Sequence, residues 1–186
     1  QIENALCALG IVLADSVEID KSVSALENLE VVPGRLQFIG RSSSGAPIYV
    51  DFAHTPQALA SILKTLRPYT KGSLSLVFGC GGERDKGKRA EMGRVACQLA
   101  DRIIITDDNP RKEDASAIRS QILTACVGAK EISDRRRAIR EAISLLKNDD
   151  VLIIAGKGHE NVQILANREY PFNDADEIRS VLEGRA

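Results

Sequence analysis

The apolar runs of this chain constrain its fold more than any other feature. Ile103-Ile104-Ile105 and Val151-Leu152-Ile153-Ile154 are apolar at every position, without the alternation typical of a strand with one face in water. Such runs are typical of strands buried on both faces of a parallel sheet. Helical patterns alternate with the strands, so the sequence predicts a doubly wound α/β fold with helices on both faces of a mostly parallel sheet.

The predicted elements alternate from residue 31 onward. A short N-terminal β-hairpin comes first, since two strands flank a turn-rich segment at 41–47. Thr55 is a good N-cap for the next helix, and Pro56 suits its first position. We predict strands at 36–39, 48–51, 74–78, 102–106, near 132 and at 151–155; helices at 56–66, 88–99, 115–126 and 135–146; an edge strand or hairpin at 162–165 and 169–171; and a helix at 174–182 capped by Asn173.

The first 30 residues do not fit this alternation. Their apolar spacing predicts two short helices before any strand, with Ser22 or Asp20 as the cap of the second. The chain starts at Gln1 without a Met, and Pro33-Gly34 marks a boundary. We therefore expect residues 1–30 to be the tail of a preceding domain of a longer protein, and residues 31–186 to form the main domain.

The composition excludes several classes of function. A net charge of -1 over 186 residues argues against a nucleic-acid-binding surface, and the 4% aromatic content without Trp argues against base stacking. We find no signal peptide and no apolar run of transmembrane length, so no membrane insertion is expected. The cysteines at 7, 80, 97 and 126 lack zinc-site spacing, so we predict no metal site and a reducing, cytoplasmic setting.

The segment Gly79–Arg89 is a candidate anion-binding turn. It follows an apolar strand, and glycines at 79, 81 and 82 would let the backbone take positive φ and bring its N–H groups close to a ligand. It lacks the Gly-Lys-Ser/Thr ending of a Walker A loop. A tight turn with solvated charges is the alternative interpretation. Four cationic residues add positive charge: Arg84, Lys86, Lys88 and Arg89.

Polar clusters also follow other predicted strands, and the carboxyl ends of parallel strands meet at one edge of a sheet. The segment Asp108-Asn109-Pro110-Arg111 suits a zwitterion. Arg111 or Arg84 could grip a carboxylate, while Asp108, Asn109 or Glu160 could accept a hydrogen bond from an ammonium group. Ordinary turn and cap chemistry is the alternative for this loop.

Both histidines fall on the same predicted edge. In Gly156-Lys157-Gly158-His159-Glu160, the glycines around Lys157 could form a second anion nest or only a tight turn. His159 is structural or ligand-lining rather than catalytic, because no Ser or Cys nucleophile with a matching base is apparent. His54, close to Asp51, could contact a nucleotide or hydrogen-bond its own loop. We therefore predict no catalytic residue.

Five motifs, in this order, resemble the C-terminal domain of the Mur ligase family. The resemblance covers residues 31–182 and implies a Rossmann-like domain that binds the incoming amino acid, with residues 1–30 as the end of a central, ATP-binding domain. The motifs are Val32-Pro33-Gly34-Arg35, Asp51-Phe52-Ala53-His54-Thr55-Pro56, the segment Phe78–Arg89, Asp108-Asn109-Pro110-Arg111 and Ala155-Gly156-Lys157-Gly158-His159-Glu160.

The resemblance also implies a reaction. The Asp-Asn-Pro-Arg form is that of ligases that add meso-diaminopimelate to UDP-MurNAc-L-Ala-D-Glu during peptidoglycan biosynthesis. ATP and Mg²⁺ would serve the full-length enzyme through its other domains, and this domain alone would bind neither. By the resemblance, Arg111 would clamp the distal carboxylate. The implied diaminopimelate contacts are Arg84, Asp108, Asn109, Pro110, Arg111, Gly156 and Glu160, and the residues facing ATP would be Arg35, Asp51 and His54.

Two alternatives remain at this point. One is a ligase domain like that of folylpolyglutamate synthase, which shares the three-domain plan. The other is a stand-alone module that binds an amino acid or a nucleotide without a catalytic partner. In the ligase interpretation we expect a monomer, and we expect the isolated chain to be inactive because the phosphate-handling parts lie elsewhere.

Overall fold

The computed structural model describes residues 2–166 and 168–185, without the side chains of residues 2 and 3. The chain divides between Val32 and Pro33 into two compact units. Within the described part of the chain, no helix has the length and apolar character needed to cross a membrane.

The first unit is a pair of helices, α1 (Ile2–Ala14) and α2 (Ile19–Leu26). Helix α2 begins after Glu18, whose backbone is not helical. The predicted caps, Ser22 and Asp20, therefore lie inside the helix, and that prediction is wrong. Ser22 instead turns its hydroxyl back to donate to the Glu18 carbonyl at 3.0 Å.

The second unit is the predicted α/β domain. Helix α4 begins at Gly87, close to its predicted start at residue 88. The strand predicted near Ile132 is only two residues long and lies just before Ile132 in the sequence. The strands are β1 (Gln37–Arg41), β2 (Pro47–Asp51), β3 (Leu74–Phe78), β4 (Arg102–Ile105), β5 (Lys130–Glu131), β6 (Val151–Ala155), β7 (Val162–Leu165) and β8 (Arg168–Pro171); the helices are α3 (Pro56–Leu66), α4 (Gly87–Leu99), α5 (Ala115–Leu123), α6 (Arg135–Ser144) and α7 (Asp174–Leu182), with a 3₁₀ turn at Arg67–Tyr69.

The main sheet has six strands in the order β1-β2-β6-β3-β4-β5. Strands β1 and β2 form the predicted antiparallel hairpin at one edge, and every other neighbouring pair is parallel. The Rossmann-like α/β prediction is thus confirmed. Strand β6, the last of the sheet in sequence, pairs in the middle between β2 and β3. Strands β7 and β8 form a separate hairpin.

Two apolar layers cover the sheet. Helices α3, α4 and α5 pack on one face through residues such as Leu59, Met92 and Ile122. Helices α6 and α7 pack on the other through Ile139 and Ile178. Strands β3 and β6 are buried at every position, as the unbroken apolar run of β6 predicts.

Side-chain caps set where the helices begin. Thr55 accepts from Ala58 N at 3.2 Å, with Pro56 at the first helical position, as predicted. Asn173 accepts from the backbone at the start of α7, also as predicted. The caps at Asp114 and Asp134 serve α5 and α6 in the same way.

A buried ion pair joins α6, α7 and β6. Arg135 donates from Nε and Nη2 to the two carboxylate oxygens of Asp174, each at 2.8 Å, and Nη2 also donates to Ala155 O at 3.0 Å. Both side chains are fully buried. Removal of one partner of such a pair leaves an uncompensated charge in a medium that solvates it poorly.

We expect Asp174→Ala to lower the free energy of unfolding by about 3 to 5 kcal/mol, because the buried Arg135 guanidinium would be left unpaired. Urea denaturation followed by circular dichroism measures this change. The matched control is Asp176→Ala, which removes an exposed ion pair with Arg179 on the same helix and should cost less than about 1 kcal/mol. Equal losses for the two variants would contradict the prediction.

Candidate functional site

The loops that follow β2, β6, β3 and β4 enclose a cavity of about 210 Å³. These strands are adjacent and parallel, so their carboxyl ends place the loops side by side, where open α/β sheets bind ligands. Three cationic side chains, Arg84, Lys88 and Arg111, line the cavity together with the carboxylates of Asp108 and Glu160. This convergence of opposite charges makes the cavity the candidate site.

A larger cavity of about 350 Å³ lies near the amino ends of β4 and β5. Its lining includes apolar residues such as Ile103 and Leu145, and its Asp101 and Arg102 side chains already pair with Arg67 and Asp150. Size alone is therefore not the criterion, and the choice of site depends on the charges that converge at the carboxyl edge.

Close packing, not positive φ, explains the glycines after β3. Gly79, Gly81 and Gly82 lie outside the left-handed region, and the positive φ of this loop occurs at Glu83 (φ 54°). A Cβ on Gly79 would lie 2.1 Å from Thr106 O, and one on Gly82 would lie 2.0 Å from the carbonyl oxygen of the residue at 110. The prediction of positive φ at these three glycines is wrong. Gly79 and Gly82 instead let the loop lie in backbone contact with the neighbouring loop.

Three backbone N–H groups of this loop already have partners within the protein. Gly82 N donates to Asn109 O at 2.9 Å, and Gly87 N donates to Asp85 Oδ1 at 2.8 Å. Glu83 N donates to the Glu113 carboxylate. These three N–H groups are therefore not available to an anion.

The four cationic residues of the loop differ in their availability. Arg89 is fully buried and ion-paired with Glu113, so the expectation that it adds charge near a ligand is wrong. Lys86 lies 3.7 Å from the same carboxylate, and Lys88 donates to His54 O at 2.8 Å. Over residues 2–166 and 168–185, Arg84 has neither a hydrogen bond nor an ion pair, which leaves its guanidinium to a ligand.

The Asp108 carboxyl is enclosed at the cavity wall. Burial raises its pKa, while the positive charges of Arg135 and Lys157 act in the opposite direction. A Cβ on Gly156, where φ is 114°, would lie 2.8 Å from Asp108 Oδ2. Only glycine lets the chain turn this close to the carboxylate.

Asn109 is held by contacts within the protein. Its Oδ1 accepts from Lys157 Nζ and from Ile164 N, each at 2.9 Å, and its Nδ2 donates to Glu160 Oε2 at 2.8 Å. Both lone pairs of Oδ1 are thus in use. Of the acceptors considered from the sequence for an ammonium group, Asp108 and Glu160 are the ones that remain.

Arg111 has a strained backbone and an anchored guanidinium. Its φ of 55° is uncommon for a residue with a side chain. Its N donates to Ile164 O at 3.1 Å, and its Nη1 donates to Gly82 O at 2.8 Å. The neighbouring Pro110 does not line the cavity, and its carbonyl accepts from Glu113 N at 3.0 Å, so it shapes the loop.

The hairpin β7–β8 supports the Asp108 loop, a role that sequence reasoning missed. Gln163 Nε2 donates to Asp108 O at 2.9 Å, and Ile164 bonds the loop on both sides through its N and O. The one hint in the sequence is Gln163 itself, an amide between apolar neighbours in a short strand, and the structure shows that it is buried.

Of the residues predicted to face a nucleotide, His54 lines the cavity, whereas Arg35 and Asp51 do not. His54 lines the cavity, with Nδ1 2.9 Å from Phe52 O. Asp51 lies outside the lining, and its two oxygens accept from Leu36 N and Ala53 N, each at 2.7 Å. Burial raises the pKa of Asp51, and these two N–H groups counteract that effect. The Arg35 guanidinium lies 4.9 Å from the centre of the Phe52 ring.

Cys80 is the thiol at the cavity wall. Burial raises its pKa to about 12, so it stays protonated and is not an activated nucleophile. In the portion of the chain that the structure describes, no group of three or more His, Cys, Asp or Glu side chains could hold a metal ion.

The family model described as "Mur ligase, glutamate ligase domain" matches residues 34–158. The chain belongs to the Mur ligase family. The resemblance seen in its motifs is therefore confirmed. A relative from Mesorhizobium japonicum, a UDP-N-acetylmuramoyl-L-alanyl-D-glutamate--2,6-diaminopimelate ligase, is 50% identical over 186 residues, which are 100% of this chain and 38% of that protein. A solved structure of a ligase of the same name is 38% identical, with a TM-score of 0.77 over 98% of this chain and 38% of that one.

The chain thus spans 38% of the length of this relative. A bifunctional folylpolyglutamate synthase/dihydrofolate synthase from Yersinia pestis is also similar, at 22% identity and a TM-score of 0.67, over 84% of this chain and 36% of that one. At that identity the likeness shows the fold alone.

In this Mur ligase domain, Arg89 and Glu113 form a clip beneath the glycine loop. Arg89 Nη2 donates to Gly81 O at 3.2 Å, and its Nη1 donates to Gln121 Oε1 at 2.9 Å. Hydrogen bonds from Arg89, and then from Glu83 N, lower the pKa of Glu113 from 4.5 to about 2. The clip ties the loop that carries Arg84 to helices α4 and α5.

We expect the stabilising effect of Glu113 to depend on pH. Because its folded pKa is depressed, its contribution is complete above pH 4.5 and is lost as the pH falls toward about 2. The difference in unfolding free energy between wild type and Glu113→Gln should shrink over that range, as measured by denaturation at several pH values. Glu91→Gln, at an exposed position of α4, is the control. A wild-type-minus-variant difference that stays constant down to pH 2 would count against the clip.

Proposed function

We propose that this chain is the amino-acid-binding domain of an ATP-dependent ligase that joins meso-diaminopimelate to UDP-MurNAc-L-Ala-D-Glu in the cytoplasm. The names of relatives at about 50% identity support this proposal. Because the chain spans 38% of the first of these relatives, ATP, Mg²⁺ and the UDP-linked acceptor would be held by the rest of such a ligase. Four free thiols, at positions 7, 80, 97 and 126, are compatible with a reducing compartment.

The observation that carries the proposal is the set of charges in the cavity. Arg84 and Arg111 line it together with the carboxylates of Asp108 and Glu160, while Lys88, the third cation of the lining, donates to His54 O. Diaminopimelate carries two carboxylates and two amino groups, so each of its charged groups can find an opposite partner. The two arginines would take the carboxylates in forked hydrogen bonds, and the two acids would take the amino groups.

The same comparison separates diaminopimelate from its competitors. L-Lysine lacks the second carboxylate and would leave one of the two arginines without a carboxylate partner, which a site built to bind that group penalises. Glutamate, which a folylpolyglutamate synthase would add, has one amino group. It would therefore leave either Asp108 or Glu160 without an amino-group partner. The charge pattern of the cavity therefore favours the diaminopimelate ligase over the folate-type alternative.

In the proposed reaction this domain positions the nucleophile. ATP bound by the rest of the ligase supplies the chemistry, by converting the D-glutamate γ-carboxylate into an acyl phosphate. An amino group of diaminopimelate, after losing its ammonium proton to water, then attacks the acyl carbon, and the amide forms as phosphate leaves with the second proton. Arg84, Arg111 and Glu160 would hold the amino acid so that this group is in line with the acyl carbon. Such a role needs no general base or nucleophile from this chain.

The selectivity for meso-diaminopimelate should depend on Arg111. In the full-length ligase that carries this domain, we expect Arg111→Ala to reduce the preference over L-lysine by about 2 to 4 kcal/mol, measured as the ratio of kcat/KM values. Arg140→Ala, at an exposed position of α6, is the matched control and should leave the preference intact. If the wild-type ligase used both amino acids equally well, the assignment of Arg111 to the distal carboxylate would be wrong.

The isolated chain should neither hydrolyse ATP nor form an amide, because it would lack the phosphate-handling parts of the ligase. Release of phosphate in the presence of ATP, diaminopimelate and the UDP-linked dipeptide measures this, with the full-length ligase as the positive control. Turnover that scales with the concentration of the pure 186-residue chain would refute the division of labour. Diaminopimelate binding by the full-length protein without any ATP-dependent turnover would instead support a stand-alone binding module.

A further inference from the structure

Lys157 is a fully buried lysine at the end of β6. It lies between Gly156, which lines the candidate site, and Gly158. Removal of an ammonium group from water is costly unless hydrogen-bonding partners compensate for it. The hydrogen-bonding partners of Lys157 therefore indicate the role of its buried ammonium group.

Those partners are two side chains of the candidate site. Lys157 Nζ donates to Asn109 Oδ1 at 2.9 Å and to Glu160 Oε2 at 3.0 Å. Asn109 Nδ2 donates to the same Glu160 oxygen at 2.8 Å, which closes a triangle of three side chains. Ile164 N adds a second donor to Asn109 Oδ1 at 2.9 Å.

The glycines that flank Lys157 are explained by packing. A Cβ on Gly158, where φ is 56°, would lie 2.7 Å from Phe52 Cβ, and one on Gly156 would lie 2.8 Å from Asp108 Oδ2. These contacts require the tight turn, and the charge of Lys157 is used by partners inside the protein. The alternative considered from the sequence, a second anion nest around this lysine, is therefore not favoured.

We propose that Lys157 is a positioning residue for the amino-acid substrate, and that its buried ammonium fixes the Asn109 amide and the Glu160 carboxylate in the orientation that binds the substrate amino group. This proposal rests on the proposed function and adds a residue to it. Lys157 itself does not line the cavity. It acts through Glu160, which does.

The geometry explains how the orientation is selected. Two donors face Asn109 Oδ1, so the amide turns its Nδ2 toward Glu160. Both internal contacts of the Glu160 carboxylate use Oε2, which leaves Oε1 to the substrate. The Glu160 side chain is 34% exposed, so without Lys157 it has room to turn toward water.

The decisive variant is Lys157→Met, which keeps an unbranched side chain one atom shorter and removes its charge and donors. In the full-length ligase we expect the KM for meso-diaminopimelate to rise about 10- to 100-fold, the loss typical of a hydrogen bond to a charged group, with kcat within about 3-fold of wild type. Lys64→Met, the same change at an exposed position of α3, is the control and should leave both constants unchanged.

A double-mutant cycle separates positioning from general structural damage. If Lys157 acts through Glu160, Lys157→Met should change KM by less than about 3-fold in a Glu160→Gln background, because the carboxylate that it orients is already gone. Structural damage would raise KM by the same factor in both backgrounds. That result, or a fall in kcat at unchanged KM, would overturn the proposal.

An independent measurement tests the role of Lys157 even if the Lys157→Met variant does not fold or the ligase uses another amino acid. In the wild-type chain, the side-chain NH₂ protons of Asn109 should exchange slowly with water in NMR spectra, because Lys157 and Ile164 hold the amide against Glu160. Rapid exchange would overturn the positioning role. A wild-type ligase that rejects meso-diaminopimelate would overturn the proposed function alone, since slow exchange would still support the role of Lys157.

Discussion

The pairing of β6 between β2 and β3 is the constraint on which the site depends. Parallel ladders place Ile154 beside both Val50 and Val77, although these residues are far apart in sequence. The loop after β6 thereby lies between the loops after β2 and β3. If β6 were added at the edge beyond β5, Glu160 would be several strands, each about 5 Å wide, from the Gly79 loop. The order of the strands, rather than any one motif, therefore brings the opposite charges into one cavity.

Internal partners use most of the charge at this edge of the sheet. Arg89 is paired with Glu113, Arg135 with Asp174, and Lys157 with Asn109 and Glu160. These contacts fix the loops before a ligand arrives, so fewer side-chain rotamers need to be ordered on binding. What remains for a ligand is a small set: Arg84, parts of Arg111 and Lys88, Asp108 and one oxygen of Glu160. The site is thus pre-organised by groups that do not themselves line it.

The sequence was sufficient for features that depend on neighbouring residues. The apolar runs predicted β3, β4 and β6, and the short polar residues before α3 and α7 predicted their caps, because both signals are local. It was not sufficient for Arg89, which looks like part of a solvated basic cluster but is buried against Glu113. The burial of Arg89 and the identity of its partner depend on the topology of the fold, since Arg89 lies in α4 and Glu113 lies in the loop before α5. For the same reason, the sequence left open whether Lys157 belongs to an anion nest or to a tight turn, and it did not show the partners Asn109 and Glu160.

Selection of the substrate and stability of the fold use different parts of the chain. A folylpolyglutamate synthase shares the fold at 22% identity, so the α/β framework does not decide the amino acid. Under the proposed function, that decision lies in the loops at the carboxyl edge, where the two acids would take amino groups and the two arginines would take carboxylates. Asn109 shows how the two parts meet, because its amide is tied to β7 on one side and to Glu160 on the other. Under the proposed function, a change at such a residue would alter recognition by moving Glu160.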